Sequence, residues 1–188
     1  MTTNNFPVQL VVLSREYGGF DLSKVKFDFR KQSCMEKPET AMWTSTAEKN
    51  SAGYTSAWND FLMEDNSFVA DKLGYSYTEA CFSGDHSKVE AFERLHLEES
   101  REYETRNILV PKAGTKVMEL NMKEDFSKVP LDANGHIDWV ALSKKYDGMH
   151  LTLEGVYELA CLDAPLHFWD VESTVWFNTD WVDKIIPV

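Results

Sequence analysis

Trp169-Asp170-Val171-Glu172-Ser173-Thr174-Val175-Trp176-Phe177-Asn178 is the stretch on which the reading of this chain turns. A carboxylate opens an alternating segment whose other positions are β-branched or aromatic, the residue types that fit a pleated, half-buried surface. Glu172 is the exception. A charged group at the mouth of such a strand either faces water or is held there for a purpose. Just upstream, Lys145-Tyr146-Asp147-Gly148-Met149-His150-Leu151-Thr152 reads as a helix end followed by a second short strand. Two strands with polar residues at matching ends can line the floor of a cleft.

Working outward, Pro7–Arg15 reads as a first strand, dense in valine and leucine, ending before Gly18-Gly19. Ser23–Phe29 alternates and reads as a short strand or turn, and Lys37-Pro38 as a loop. Ala41–Thr46 is a second strong strand. Ser56 caps a helix through Met63, with Trp58, Phe61 and Leu62 at helical spacing. Val89, Phe92, Leu95 and Leu97 mark an amphipathic helix in the poorly patterned stretch from Asp65 to Arg106, and Glu98–Glu104 reads as a solvated helix face or loop. Asn107–Val110 and Lys116–Leu120 read as strands. Asp132-Ala133-Asn134-Gly135 is a turn, because Asn-Gly tolerates positive φ. Asp138 caps a helix through Lys145 with Trp139, Leu142 and Tyr146 on one face. Strands at Met149–Leu151 and Ser173–Phe177 complete the sheet.

Strands outnumber the two or three helices, and the connections look too short for repeated crossovers. The expected fold is α+β: a mixed or antiparallel sheet, split into two packed sheets, with helices alongside. No repeat or linker interrupts the chain, so residues 1–188 are taken as one domain. At 188 residues and 43% hydrophobic composition, a sizeable core is available. No apolar run is long enough to cross a bilayer, and no secretory leader is evident. Cys34, Cys81 and Cys161 form no paired motif, which suits reduced thiols in the cytoplasm. A net charge of −12 disfavours a broad nucleic-acid-binding face and is compatible with a basic protein partner.

Phosphate-loop, dinucleotide-fingerprint and nucleophile-elbow motifs are absent. The histidines at 86, 96, 136, 150 and 167 lack metal-binding spacing, so no metal is expected. What remains is a trio on three strands: Arg15, the Thr44-Ser45-Thr46 cluster after Trp43, and Glu172. A guanidinium can hold a phosphate. Small hydroxyls can orient a carboxylate, and a lone glutamate in a cleft can bond a ribose hydroxyl and stabilise an oxocarbenium cation. Each residue also has an ordinary reading: Arg15 as a surface ion-pair partner, the hydroxyls as strand formers, Glu172 as a flanking charge.

The order Arg15, then Trp43-Thr44-Ser45-Thr46, then Glu172 resembles the arginine–serine–glutamate type of the ADP-ribosyltransferase superfamily. Tyr146-Asp147-Gly148 and the segment from Glu172 to Trp181 also look like the C-terminal half of small phage and toxin-like members. There a strand ends in Phe-Asn and is followed by a short acidic tail helix, to which Phe177–Val182 would correspond. The resemblance implies a split sandwich and NAD as substrate, with no metal. Arg15, Trp43, Thr44, Ser45 and Thr46 would bind NAD, and Glu172, Arg15 and Ser45 would be catalytic. It further implies a macromolecular acceptor, protein or nucleic acid, in a toxin, phage or defence setting, with an antitoxin as a further partner. Asp170 stands where protein-modifying members carry a second glutamate. Glu102-Tyr103-Glu104 before an apolar strand is a rival for the catalytic position, and Asp147 or Asp170 could instead pair with Glu172 in a hydrolase. A different class also fits: a non-enzymatic acidic binding protein that covers a basic surface.

Overall fold

The computed structural model describes residues 6–14, 20–32, 37–50, 53–64, 66–101, 104–159, 169 and 171–188. Arg15, Cys34, Glu102, Tyr103, Cys161, His167 and Asp170 lie outside them. The strands are β1 (Gln9–Ser14), β2 (Asp28–Gln32), β3 (Pro38–Thr40), β4 (Met42–Thr46), β5 (Glu48–Lys49) and β6 (Tyr54–Thr55), then β7 (Glu104–Pro111), β8 (Val117–Leu120), β9 (Gly148–Leu151), β10 (Ser173–Trp176) and β11 (Val182–Pro187). Four helices lie between β6 and β7: α1 (Ala57–Glu64), α2 (Ser67–Leu73), α3 (Tyr77–Phe82) and α4 (His86–Ser100). Then α5 (Lys123–Phe126) and α6 (Trp139–Ser143) join β8 to β9, and α7 (Leu153–Leu159) follows β9.

Seven strands form one curled mixed sheet in the order β11-β7-β1-β4-β10-β9-β8. All neighbours are antiparallel except β8 and β9, which run parallel because the α5–α6 crossover returns the chain to the same end. The expected α+β class and mixed sheet are present. The main sheet is continuous through β4 rather than divided into two packed sheets.

The sheet buries side chains on both faces. On one, Met118, Leu120, Met149, Leu151 and Val175 pack with Trp139, Leu142 and Trp169. On the other, Val11, Met42, Leu109, Trp176 and Trp181 form a second cluster, with Trp176 and Trp181 stacked at 3.5 Å. Facing residues share a side, so Gly148 lies opposite Trp176. A Cβ there would stand 2.7 Å from the indole and 2.9 Å from the Val175 carbonyl, which is the physical reason for glycine in Tyr146-Asp147-Gly148.

Asp147 ties the ends of three strands together. Its carboxylate accepts from Lys116 N at 2.8 Å and Asn178 Nδ2 at 3.0 Å, and its carbonyl accepts from Phe177 N at 2.8 Å. Past Phe177 the chain makes a bend and a turn and then enters β11, which pairs with β7. The tail helix expected over Phe177–Val182 is instead this bend and turn, and Val182–Pro187 beyond it pairs with the open edge of β7. Pro38 begins β3 rather than a loop. Helices α2 and α3 enlarge the expected helix count and build a third cluster with α1 and α4 from Met63, Val69, Tyr77 and Phe92.

Candidate functional site

The site arises where β4 changes partners. Strand β1 pairs with β4 only at Gln9–Thr46 and Leu10–Ser45, while β10 pairs with β4 at Thr44, Trp43 and Met42. Beyond Leu10 the strands β1 and β4 diverge. A cavity of about 960 Å³ opens there, with Leu10 and Val12 on one wall and Trp43 and Ser45 on another. Trp58, Trp169, Val171 and Ser173 also line it. The volume is at the upper end for small-molecule sites. Trp43 stands edge-to-face against Trp169 at 4.8 Å and 69°.

At the opposite divergence, between β4 and β10, Glu172 fills the gap. The ladder stops at Thr44–Thr174. Two residues on, the Glu172 carboxylate replaces a strand acceptor: Thr46 N–H donates to Oε1 at 3.2 Å and Oε2 at 3.1 Å. Successive strand residues point to opposite faces. The Ser45 hydroxyl therefore reaches Glu172 Oε2 from one side, and the Thr46 hydroxyl reaches Oε1 from the other at 2.8 Å. Ser45 Oγ also donates to the Glu172 carbonyl at 2.8 Å. Glu172 is 6% exposed and Ser45 2%. The carboxylate lies behind the cavity wall, and Ser45 touches both.

Behind Glu172 runs a buried relay centred on Gln9, a residue that sequence reasoning did not single out. The Trp176 indole donates to Thr44 Oγ1 at 2.7 Å, and Thr44 donates to Gln9 Oε1 at 2.7 Å. Thr174 donates to the same oxygen at 3.0 Å. Since its proton goes to Gln9, Thr174 accepts from His150 Nδ1 at 2.8 Å, which fixes the tautomer with hydrogen on Nδ1. His150 Nδ1 is also 3.4 Å from Glu172 Oε1. Burial pushes the imidazole below its ordinary pKa, against the pull of Glu172 and Glu119. Phe6 caps the relay edge-on, 5.2 Å from His150 and 5.6 Å from Trp176. No local motif announces these partners. They meet because Thr174 faces His150 on one neighbour and Thr44 on the other.

Of the sequence candidates, Trp43, Thr44 and Ser45 line the cavity, Ser45 and Thr46 hold Glu172, and Arg15 lies outside the described residues. Glu104 begins β7 opposite Ser14, at the far end of β1 from Gln9, with Oε2 3.4 Å from Arg106 Nη2. Asp147 sits at the end of β10 remote from Glu172, five residues or roughly 16 Å along the strand, and its oxygens are taken by Lys116 and Asn178. That separation is too great for a carboxylate pair acting across one glycosidic bond, so the Asp147 pairing is withdrawn; Asp170 lies outside the described residues. Among the described residues no group of three or more His, Cys, Asp or Glu side chains is placed to hold a metal ion, and no helix is long and apolar enough to cross a membrane.

The chain matches no family model, no curated protein and no solved structure.

Proposed function

We propose that this protein transfers ADP-ribose from NAD to a macromolecular acceptor, a protein side chain or a nucleobase, in a fold of the ADP-ribosyltransferase kind. One observation carries the reading: Ser45 lines a dinucleotide-sized cavity and hydrogen-bonds the buried Glu172 carboxylate. In the reaction the bond between ribose C1′ and the nicotinamide nitrogen breaks, and its electron pair leaves with neutral nicotinamide. The acceptor's lone pair then forms the new bond at C1′ and the acceptor loses a proton. The cation that develops on the ribose needs a fixed negative charge nearby. Glu172 supplies it, with Ser45 and Thr46 setting its position and Ser45 meeting the ribose. Trp43 and Trp169 offer ring faces and edges to a planar base.

The experiment is to incubate labelled NAD and a cell lysate with wild type and with Glu172→Gln. Wild type should release nicotinamide and label an acceptor, and the variant should bind NAD but turn over at least ~100-fold more slowly. Equal release by both proteins, or no NAD binding by wild type, refutes the proposal.

A second reading, an acidic binding protein, draws on the stacked Trp58–Phe61 pair, 42% and 38% exposed, in a chain of net charge −12. Partner binding would then survive Glu172→Gln and weaken steeply with salt.

A further inference from the structure

We infer that the cavity recognises its ligand chiefly through a diphosphate, gripped by Lys24, Lys26 and Lys37. This rests on the NAD reading above and names the part of the dinucleotide that the wall selects. Over the whole chain, acidic residues outnumber Lys and Arg by 31 to 19. Among the described residues that line the cavity the sign reverses, with Lys24, Lys26 and Lys37 against the carboxylate of Asp21. That carboxylate is already engaged. Its Oδ1 accepts from Ser23 N at 2.9 Å and from the Ser23 hydroxyl at 2.7 Å, capping the 3-10 turn Leu22–Lys24, while Lys24 Nζ stands 3.9 Å from Oδ2. Among the described residues Lys26 and Lys37 have no carboxylate within ion-pair distance.

These ammonium groups are not on a free tail. Phe20, Leu22, Val25 and Phe27 pack onto the cluster of Val11, Met42 and Trp176. The apolar residues root the segment, and the interleaved Lys24 and Lys26 stay at the cavity. Lys37 Nζ lies over the Trp43 ring at 5.8 Å from its centroid. The cavity lining thus combines a ring for a planar base with three ammonium groups, of which Lys37 is the one over the ring. A ligand joining a flat base to a short, doubly charged diphosphate satisfies both. A neutral nucleoside satisfies only the ring.

The test is titration of the full chain, read by tryptophan fluorescence, with ADP-ribose, adenosine and inorganic diphosphate. Wild type is compared with Lys24→Gln/Lys26→Gln/Lys37→Gln, whose fold is checked by circular dichroism. The triple variant should bind ADP-ribose at least ~30-fold more weakly, since each lost charge-assisted contact costs several-fold. Its affinity for adenosine, which is neutral, should be unchanged. ADP-ribose affinity within ~3-fold of wild type, well under the 1.4 kcal/mol that a tenfold change represents, overturns the lysine grip. Inorganic diphosphate bound as tightly as ADP-ribose overturns the selection of a dinucleotide. If ADP-ribose binding survives the triple change while Glu172→Gln still abolishes nicotinamide release, only the lysine assignment falls. If wild type binds neither ADP-ribose nor NAD, the transferase reading falls and takes this inference with it.

Discussion

Ser45→Ala combined with Glu172→Gln measures whether the hydroxyl and the carboxylate act as one unit. Ser45 donates to Glu172 Oε2 and to the Glu172 carbonyl, and both side chains are buried. A hydrogen bond to a charged group contributes about 1.5–3 kcal/mol. Ser45→Ala leaves Glu172 its two donors from Thr46, so a loss of about 2 kcal/mol is expected. In a chain of this length that lowers the melting temperature by roughly 4–8 °C. Glu172→Gln keeps the shape. Its amide oxygen still accepts from Thr46 N–H, and its NH₂ can donate to Ser45 Oγ, whose proton then goes to the Glu172 carbonyl. The charge-assisted bonds become neutral ones while burial of a charge is relieved, so the net cost is about 1 kcal/mol. In that background Ser45→Ala removes only a neutral bond, about 1 kcal/mol. The two changes should therefore couple by about 1 kcal/mol in urea unfolding followed by tryptophan emission. Coupling below ~0.3 kcal/mol, the scatter seen for independent sites, would mean that the two groups do not share the bond described.

Three further outcomes follow from the same geometry. Gln9→Met keeps the volume but leaves the Thr44 and Thr174 hydroxyls without their shared acceptor; a loss of about 2–3 kcal/mol in urea unfolding is expected, and a change under ~0.5 kcal/mol would dissolve the relay. Gly148→Ala drives a Cβ to 2.9 Å from the Val175 carbonyl, which is backbone and yields little; a cost of about 2–3 kcal/mol is expected from thermal melting, with Trp176 emission shifted. His96 accepts from Asn66 Nδ2 at 2.8 Å, and burial, helped by the Arg106 charge, pushes its pKa down from 6.5 to about 4. Below pH 6.5 the unfolded chain takes up a proton that the folded chain refuses, so stability falls between pH 6.5 and about 4 and levels off beneath. The loss is roughly 3 kcal/mol, and His96→Gln should flatten that limb in melts run across the same range.

How much of this was legible in the sequence follows from what kind of contact each feature depends on. The strands of the site were readable because their patterns are local: Met42–Thr46 and Ser173–Trp176 carry β-branched and aromatic residues in alternation. The Asn134-Gly135 turn and the Asp138 cap were readable for the same reason, and Asp138 Oδ1 accepts from Ala141 N at 2.8 Å. Helix α3 announced itself in Ser76 and Glu79, which form a reciprocal cap, and that signal was overlooked inside a stretch of weak periodicity. The tail helix at Phe177–Val182 was an expectation of the resemblance alone; the β-branched Val182, Ile185 and Ile186 that follow suit a strand, and the edge of β7 pairs them. The relay was beyond reach, since Gln9, Thr44, His150 and Thr174 come from four strands that only the topology makes neighbours.

The same logic separates what Glu172 does for the fold from what the proposed transfer asks of it. A carboxylate that closes a gap in a sheet could be replaced by ordinary strand pairing if β4 and β10 ran on together for two more residues. They do not. Instead the chain places a charge behind Ser45, one of the β4 residues that line the cavity. Burying an ionised group costs more than continuing a ladder. The carboxylate thus stands beside a cavity lined with indoles and ammonium groups, where the proposed transfer would use its charge. Under the proposed transfer, stability and turnover should separate at Glu172→Gln: the amide keeps the strands closed at a cost of about 1 kcal/mol, but it carries no charge to offer a ribose cation.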